Sequence, residues 1–449
     1  MNGRPMVFSI ALAAGFVMAS LAASYAAAAE PAGARIEQEV AACKDAKDRK
    51  DLETRCTETL KKADATPSEK DRACRILKII GTADCIPALA ALLPVAENSH
   101  LARFALEAMP LPEAGKALRE AVAKTSGKIK VGVINSIGVR EDAAAVPELV
   151  PLLKDPDAAV AAAAARAIAR AATAEAVAAL ADFRTNAPKE LRPAAADASL
   201  IAAEQLMRRG SGAEAAKIYE QLDRQDWPAY IRTAAFAGLV AARPADAAPR
   251  LLLTALGGDD PVRRGQAAQI VITLAGADVT RTFADSLPKL PPEGQRALLR
   301  ALANRKDAAA RPAVIEATKS ADKGVRADAA AALGQLGTAA DVPMLAGLAA
   351  SEDKDLADAA KASLLAIQGE GVNEALAAAM KGAPAPVRVR ILDTLSSRSA
   401  RACAAVVAAG LEDSDAAVRA ASLKAIGILG GKTEVAAVVN ALKIGRAHV

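Results

Sequence analysis

Histidine is almost missing from this sequence. Two occur in 449 residues, His100 and His448, and His448 is the penultimate residue. With one internal histidine, a His-Glu-x-x-His zinc helix cannot be built, and a Ser/His/Asp set is possible only around His100. Cysteine is sparse as well: five residues, with no Cys-x-x-Cys and so no Cys-x-x-Cys-His haem site. Aromatics make up 2% of the chain, with a single Trp. Stacking platforms for single-stranded nucleic acid need more rings than that. Charge of one sign is lacking too. The formal charge is +5, or +3 without Arg4 and Arg446 in the two ends, and it is scattered evenly. A nucleic-acid surface would be a clustered basic face. These shortages leave no catalytic, cofactor or metal constellation, and nucleic acid is not an expected partner.

Alanine is what the chain has in excess. It has the highest helix propensity, and its small side chain lets helices approach closely. No valine/threonine alternation signals a strand, so the composition points to an all-α stack. Its organisation is a beat in the second half. Ile231, Val262, Val325, Leu356, Val387 and Val418 head similar helical segments, separated by 31, 63, 31, 31 and 31 residues. VRADAAAALGQLGT at 325–338 and VRAASLKAIGILGG at 418–431 share one register. A fixed period of this size means a solenoid of stacked hairpins, none of which buries its apolar face alone. About twelve hairpins are expected, with helices of about 10–14 residues.

The two ends read differently. Arg4, the apolar stretch Val7–Leu21 and the small residues Ala27-Ala28-Ala29 form an export leader over 1–29. This stretch of 15 residues falls short of the roughly 20 that span a bilayer. No membrane insertion is expected after cleavage, and a periplasmic or secreted location follows. Residues 444–449, IGRAHV, are the in-frame reading of ATC GGA AGA GCA CAC GTC, a common sequencing-library adapter. They are expected to be read-through on a truncated gene fragment.

Between these ends, residues 30–65 form a charged helical cap, and 66–189 the first set of repeats. Cys43, Cys56, Cys74 and Cys85 cluster here. An exported chain with an even local count favours disulfides, and Cys43–Cys56 with Cys74–Cys85 each bracket one helical hairpin. Buried thiols are the alternative; Cys403, in ACAAVVAAG, reads as a small core residue. In the repeats, Asp84 or Asp341 is placed to cap a second helix, with Pro87, Pro147, Pro312 or Pro343 in its first turn. Residues 190–226 look like a longer, tetratricopeptide-like hairpin, with Tyr219 and Leu222 on its packing face and Trp227 and Tyr230 following. Repeats resume over 227–443, with a bend expected at DSLPKLPPEGQ, 285–295. GILGGKT at 427–433 imitates a phosphate loop, but Ile426 replaces the leading glycine and a helix precedes it.

ACRILKIIGTADCIPALAALL, SHLARFALEAMPLPEAGKALREAV and VGVINSIGVREDAAAVPELVPLL, within 73–153, carry a family resemblance. They resemble short-helix HEAT repeats of the kind seen in bilin-lyase-like proteins, and secreted HEAT proteins of planctomycete- and verrucomicrobium-like bacteria. The resemblance implies a right-handed α-solenoid, a HEAT-like or armadillo-type superhelix. The leader, the repeats and the lack of a catalytic set lead to the expectation of a binding scaffold with a protein partner on its concave face. Some relatives carry an additional C-terminal domain, sometimes like a sugar-processing sandwich, so a docking region of a larger enzyme is the alternative. Iron-binding HEAT hydroxylases need several His-Glu pairs, and none exist here.

One polar cluster survives. His100, Arg103 and Glu107 fall on one helix face, and Asn135 and Arg140 lie one repeat on. A histidine beside a carboxylate suits acid–base work, and two arginines suit an anion, which would make a lyase-like site. The same residues equally form a polar ladder that fixes stacking register.

Overall fold

The computed structural model describes residues 32–439 apart from Gln225 and Ala245. The expected leader over 1–29 and the adapter-like 444–449 lie outside the described residues. Among the described residues every regular element is helical, so the chain is an all-α solenoid. It divides into two compact units, 1–242 and 243–449.

The first unit contains α1 (Ala32–Ala41), α2 (Ala46–Lys61), α3 (Pro67–Ile80), α4 (Ile86–Leu92), α5 (Ser99–Ala108), α6 (Pro112–Val122) and α7 (Gly127–Val139). It continues with α8 (Val146–Leu149), α9 (Ala158–Ala171), α10 (Ala174–Asn186), α11 (Arg192–Arg208), α12 (Gly212–Leu222) and α13 (Ala229–Ala242). Odd-numbered helices open each hairpin and stack on one another, α3 on α5 on α7 on α9 on α11. Alanine makes that stacking close: Ala161, Ala163, Ala164 and Ala165 of α9 are fully buried.

The second unit holds α14 (Ala248–Gly257), α15 (Pro261–Thr273), α16 (Ala277–Ser286), α17 (Pro292–Arg305), α18 (Arg311–Ala317) and α19 (Lys323–Leu336). After these come α20 (Val342–Leu348), α21 (Lys354–Ala366), α22 (Val372–Ala379), α23 (Ala385–Ser397), α24 (Ala404–Ala409) and α25 (Ala416–Leu429). The first helices again form a continuous row, α15 to α25. Val325, Leu333, Leu364 and Val418 are fully buried along it, four points on the 31-residue beat and its packing face. Truncating such a leucine to alanine costs about 2–5 kcal/mol.

Helix starts follow local chemistry. Thr66 and Glu69 form a reciprocal capping box ahead of Pro67. Asp322 accepts from Val325 N, and Asp415 from Ala417 N and Val418 N. The expected caps Asp84 and Asp341 do something else. Asp84 pairs with Lys50, and Asp341 is taken by Thr338 N and the Arg311 fork. The chain enters those second helices through a 3-10 turn, so the capping oxygen comes two residues earlier, as with Thr82 to Asp84 N and Asp307 to Ala309 N.

Several second helices are shorter than the expected length. After α8 the chain tightens into a 3-10 segment, Val150–Lys154. Pro151 has no N–H to give the carbonyl of Pro147, so the α pattern ends there. The Pro-rich 285–295 segment lies inside the second unit, where Leu287–Lys289 make a 3-10 turn and Pro292 starts α17.

All five cysteines are free thiols, so the bridges expected at Cys43–Cys56 and Cys74–Cys85 are not formed. Cys43 is half-buried and its Sγ turns back to Glu39 O at 3.7 Å. Cys85 Sγ donates to Thr82 O at 3.1 Å. Cys56, Cys74 and Cys85 are core residues. Burial pushes the Cys56 thiol up to about 11 and those of Cys74 and Cys85 up to about 12. Gly81 belongs to the same packing: a Cβ there would press on Leu77 O, Met109 Cε and Cys85 Sγ.

Candidate functional site

The five-residue cluster read from the sequence is only partly assembled. His100 is exposed near the start of α5, and Asn135 is exposed on α7. The other three are half-buried between α5 and α7. Glu107 faces Ser136, whose hydroxyl donates to Oε1, so the register is one residue off the expected Asn135. Arg103 lies over Gly132, donating from Nη1 to its carbonyl at 3.3 Å. Gly132 makes that possible, because a Cβ there would fall 2.7 Å from Arg103 Cζ.

Arg140 explains the geometry best. At the end of α7, it reaches back to the C-terminal carbonyls of α5. Nη1 meets Leu106 O at 2.6 Å, Glu107 O at 3.3 Å and also Met109 O, while Nη2 meets Leu111 O at 3.0 Å. These are carbonyls that a helix end leaves without partners, at the negative end of its dipole. Burial lowers the guanidinium's hold on its proton, with Asp142 opposing that effect.

The device recurs at constant offsets. Arg305 reaches Val271 O, Leu274 O and Gly276 O, and its Nε donates to Thr280 Oγ1 at 3.0 Å. Arg398 reaches Leu364 O at 2.8 Å, Leu365 O and Ile367 O at 3.1 Å, and Asn373 Oδ1 at 2.8 Å. The residue after each arginine is left-handed: Glu141, Lys306 and Ser399 have φ of 52°, 54° and 54°. Such a residue costs about 1–2 kcal/mol, which the bound carbonyls offset. Arg305 and Arg398 stand three 31-residue beats apart, so the pattern was readable in the sequence, but only as a spacing of arginines. Arg103, Glu107 and Arg140 therefore tie neighbouring repeats. His100 and Asn135 stay exposed on α5 and α7.

Clefts lie instead between consecutive second helices. In the second unit, α16 and α18 flank a cleft of about 640 Å³. Leu287, Pro288, Pro312 and Ala313 give it apolar walls, and Asp285, Glu316 and Lys319 its polar rim. In the first unit, the 150–154 turn and α10 flank one of about 390 Å³ with Leu153, Phe183 and Leu191. No group of three or more metal-ligating side chains occurs among the described residues. No described helix is long and apolar enough to cross a membrane.

A sequence model described as HEAT repeats matches residues 115–201 and 281–365. Those two segments are similar to HEAT repeats. No curated protein matches it. Among solved structures, human deoxyhypusine hydroxylase in complex with glycerol is similar at 19% identity and TM-score 0.28, over 58% of this chain and 98% of that one. The karyopherin Kap121p, bound to the extreme C-terminus of the phosphatase Cdc14p, is similar at 12% identity and TM-score 0.40, over 85% of this chain. The chain spans 46% of that karyopherin's length. Importin beta is similar at 14% identity and TM-score 0.35, over 88% of this chain and 59% of that one.

Proposed function

We propose that this HEAT-repeat chain is an exported, non-catalytic scaffold that binds an extended protein partner along its second helices. The observation that supports this most is the asymmetry of the hairpins. First helices are tied to one another by arginine–carbonyl ladders and buried alanine. Second helices leave open clefts with apolar walls and charged rims, the make-up of a protein-binding patch. The export component rests on Arg4, Val7–Leu21 and Ala27–Ala29.

The test is a binding assay with cleft variants. Partners retained by the wild-type chain should be lost on Ala313→Glu and Ala179→Glu, each of which puts a charge into one cleft. They should be kept by Arg300→Gln, which alters an exposed first-helix residue. Retention unaffected by both cleft changes would overturn the proposal.

A further inference from the structure

We propose that the joint of α10, α11 and α12 holds the oxyanion head of a small ligand with a short apolar tail, the head being a phosphate, sulfate or carboxylate. Arg184 and Thr185 from α10, Arg192 from α11, Gln221 from α12, and Arg224 and Trp227 from the following turn line one cavity of about 460 Å³. That size suits a small ligand. Three guanidinium groups reach it from three segments, and the acid in its lining is Asp226, 3.8 Å from Arg224.

The other two charges have no acid. Arg184 is half-buried and donates to neutral oxygens, Ser199 Oγ at 3.0 Å and Gln221 Oε1. Burial alone shifts its guanidinium, downward. Arg192 lies 5.3 Å over the Trp227 ring and forms no ion pair among the described residues. Arg192 is exposed and Arg184 is the partly desolvated one; such a cation without a counter-charge is costly, and an entering anion relieves it. Arginine forks match the paired oxygens of phosphate, sulfate or carboxylate. Gln221 accepts from Arg184 through its carbonyl oxygen, which leaves its amide N–H groups to donate to the same anion. A second cleft shares Ala181, Arg184 and Gln221 and is lined by the apolar Val177, Leu180, Ala202 and Ile218, with Glu214 and Lys217 also in its lining. Those apolar residues set the apolar tail.

Trp227 is the single tryptophan of the chain, so its emission reports on this cavity directly. The full chain is titrated with phosphate, sulfate, acetate and hexanoate at constant ionic strength held by chloride. The expected result is a saturable change in Trp227 emission with at least one anion. The midpoint should be weakened at least about tenfold, roughly one lost charge-assisted contact, in Arg192→Gln and in Arg224→Gln. The second variant leaves the Arg192–Trp227 contact intact and so separates lost binding from a changed reporter. Tighter binding of phosphate or sulfate than hexanoate assigns an ester head group. Tighter binding of hexanoate than acetate and phosphate assigns a carboxylate with a tail. No saturable response to any of the four, or midpoints unchanged in both variants of wild-type helicity, overturns the proposal.

Discussion

Replacing Arg140 by methionine isolates the inter-repeat fork, because methionine keeps most of the apolar stem while removing the guanidinium. Nη1 has two hydrogens for three carbonyls, and Nη2 serves Leu111 O. About three bonds are therefore lost rather than four. A bond to a charged group nets about 1.5–3 kcal/mol when buried. Part of this end is wet, and water recovers some of the carbonyls, so the expected loss is about 2–4 kcal/mol. Removing the cation from the helix end adds about 0.3–1 kcal/mol within that range. Arg140→Lys should recover no more than about 1 kcal/mol, since an ammonium is a point charge without the fork. Global unfolding of a repeat chain need not be two-state. The assay is therefore amide hydrogen exchange by mass spectrometry on peptides covering 99–111, with urea unfolding alongside. Faster exchange should centre on the end of α5 and leave 311–366 unchanged. Exchange and urea midpoint within about 0.5 kcal/mol of wild type, or full rescue by lysine, would refute the reasoning.

Four further outcomes are expected. Gly238→Ala should destabilise the first unit by about 1–3 kcal/mol, because the new methyl would run into the Tyr219 ring; Tyr219→Leu in the same chain should recover part of that loss in urea melts. Asp341 is pushed upward by burial, but the Arg311 fork and the Thr338 bonds outweigh this and leave its carboxyl below the usual value. Its contribution is thus complete above the unfolded pKa, about 3.9, and is lost as pH falls through the folded value. Asp341→Asn should flatten that acid limb in stability measured between pH 5 and pH 2, and an unchanged slope would count against the pairing. Iodoacetamide at pH 8 should label half-buried Cys43 first and leave Cys56, Cys74 and Cys85 unreacted until denaturant is added, after which five thiols titrate; fast native labelling of Cys74 would contradict its burial. His100→Ala should shift stability by less than about 0.5 kcal/mol, whereas Glu107→Ala, which removes the inter-helix bond and leaves the Ser136 hydroxyl only Gly132 O, should cost about 1 kcal/mol in the same melts.

Much of the fold was written in the chain. A 31-residue spacing of Val and Leu, with alanines between, specifies helices that bury one face and must stack, because a lone hairpin of that composition has nowhere to put Val325 or Leu333. Pro67 and Asp322 announce helix starts for a local reason, since capping involves only neighbours in sequence. What the sequence left open depended on contacts about one repeat apart. Whether Asn135 or Ser136 meets Glu107 turns on a one-residue rotation of α7 against α5, which periodicity does not resolve. Whether Asp341 caps its own helix or takes Arg311 turns on a residue thirty positions away. The four N-terminal cysteines could be paired on paper by the hairpins that they bracket, but packing turned Cys43 back on Glu39 and put Cys74 in the core. The arginines of 184, 192 and 224 are far apart in helical register, and only the joint of three helices gives them one cavity and leaves two of them without an acid.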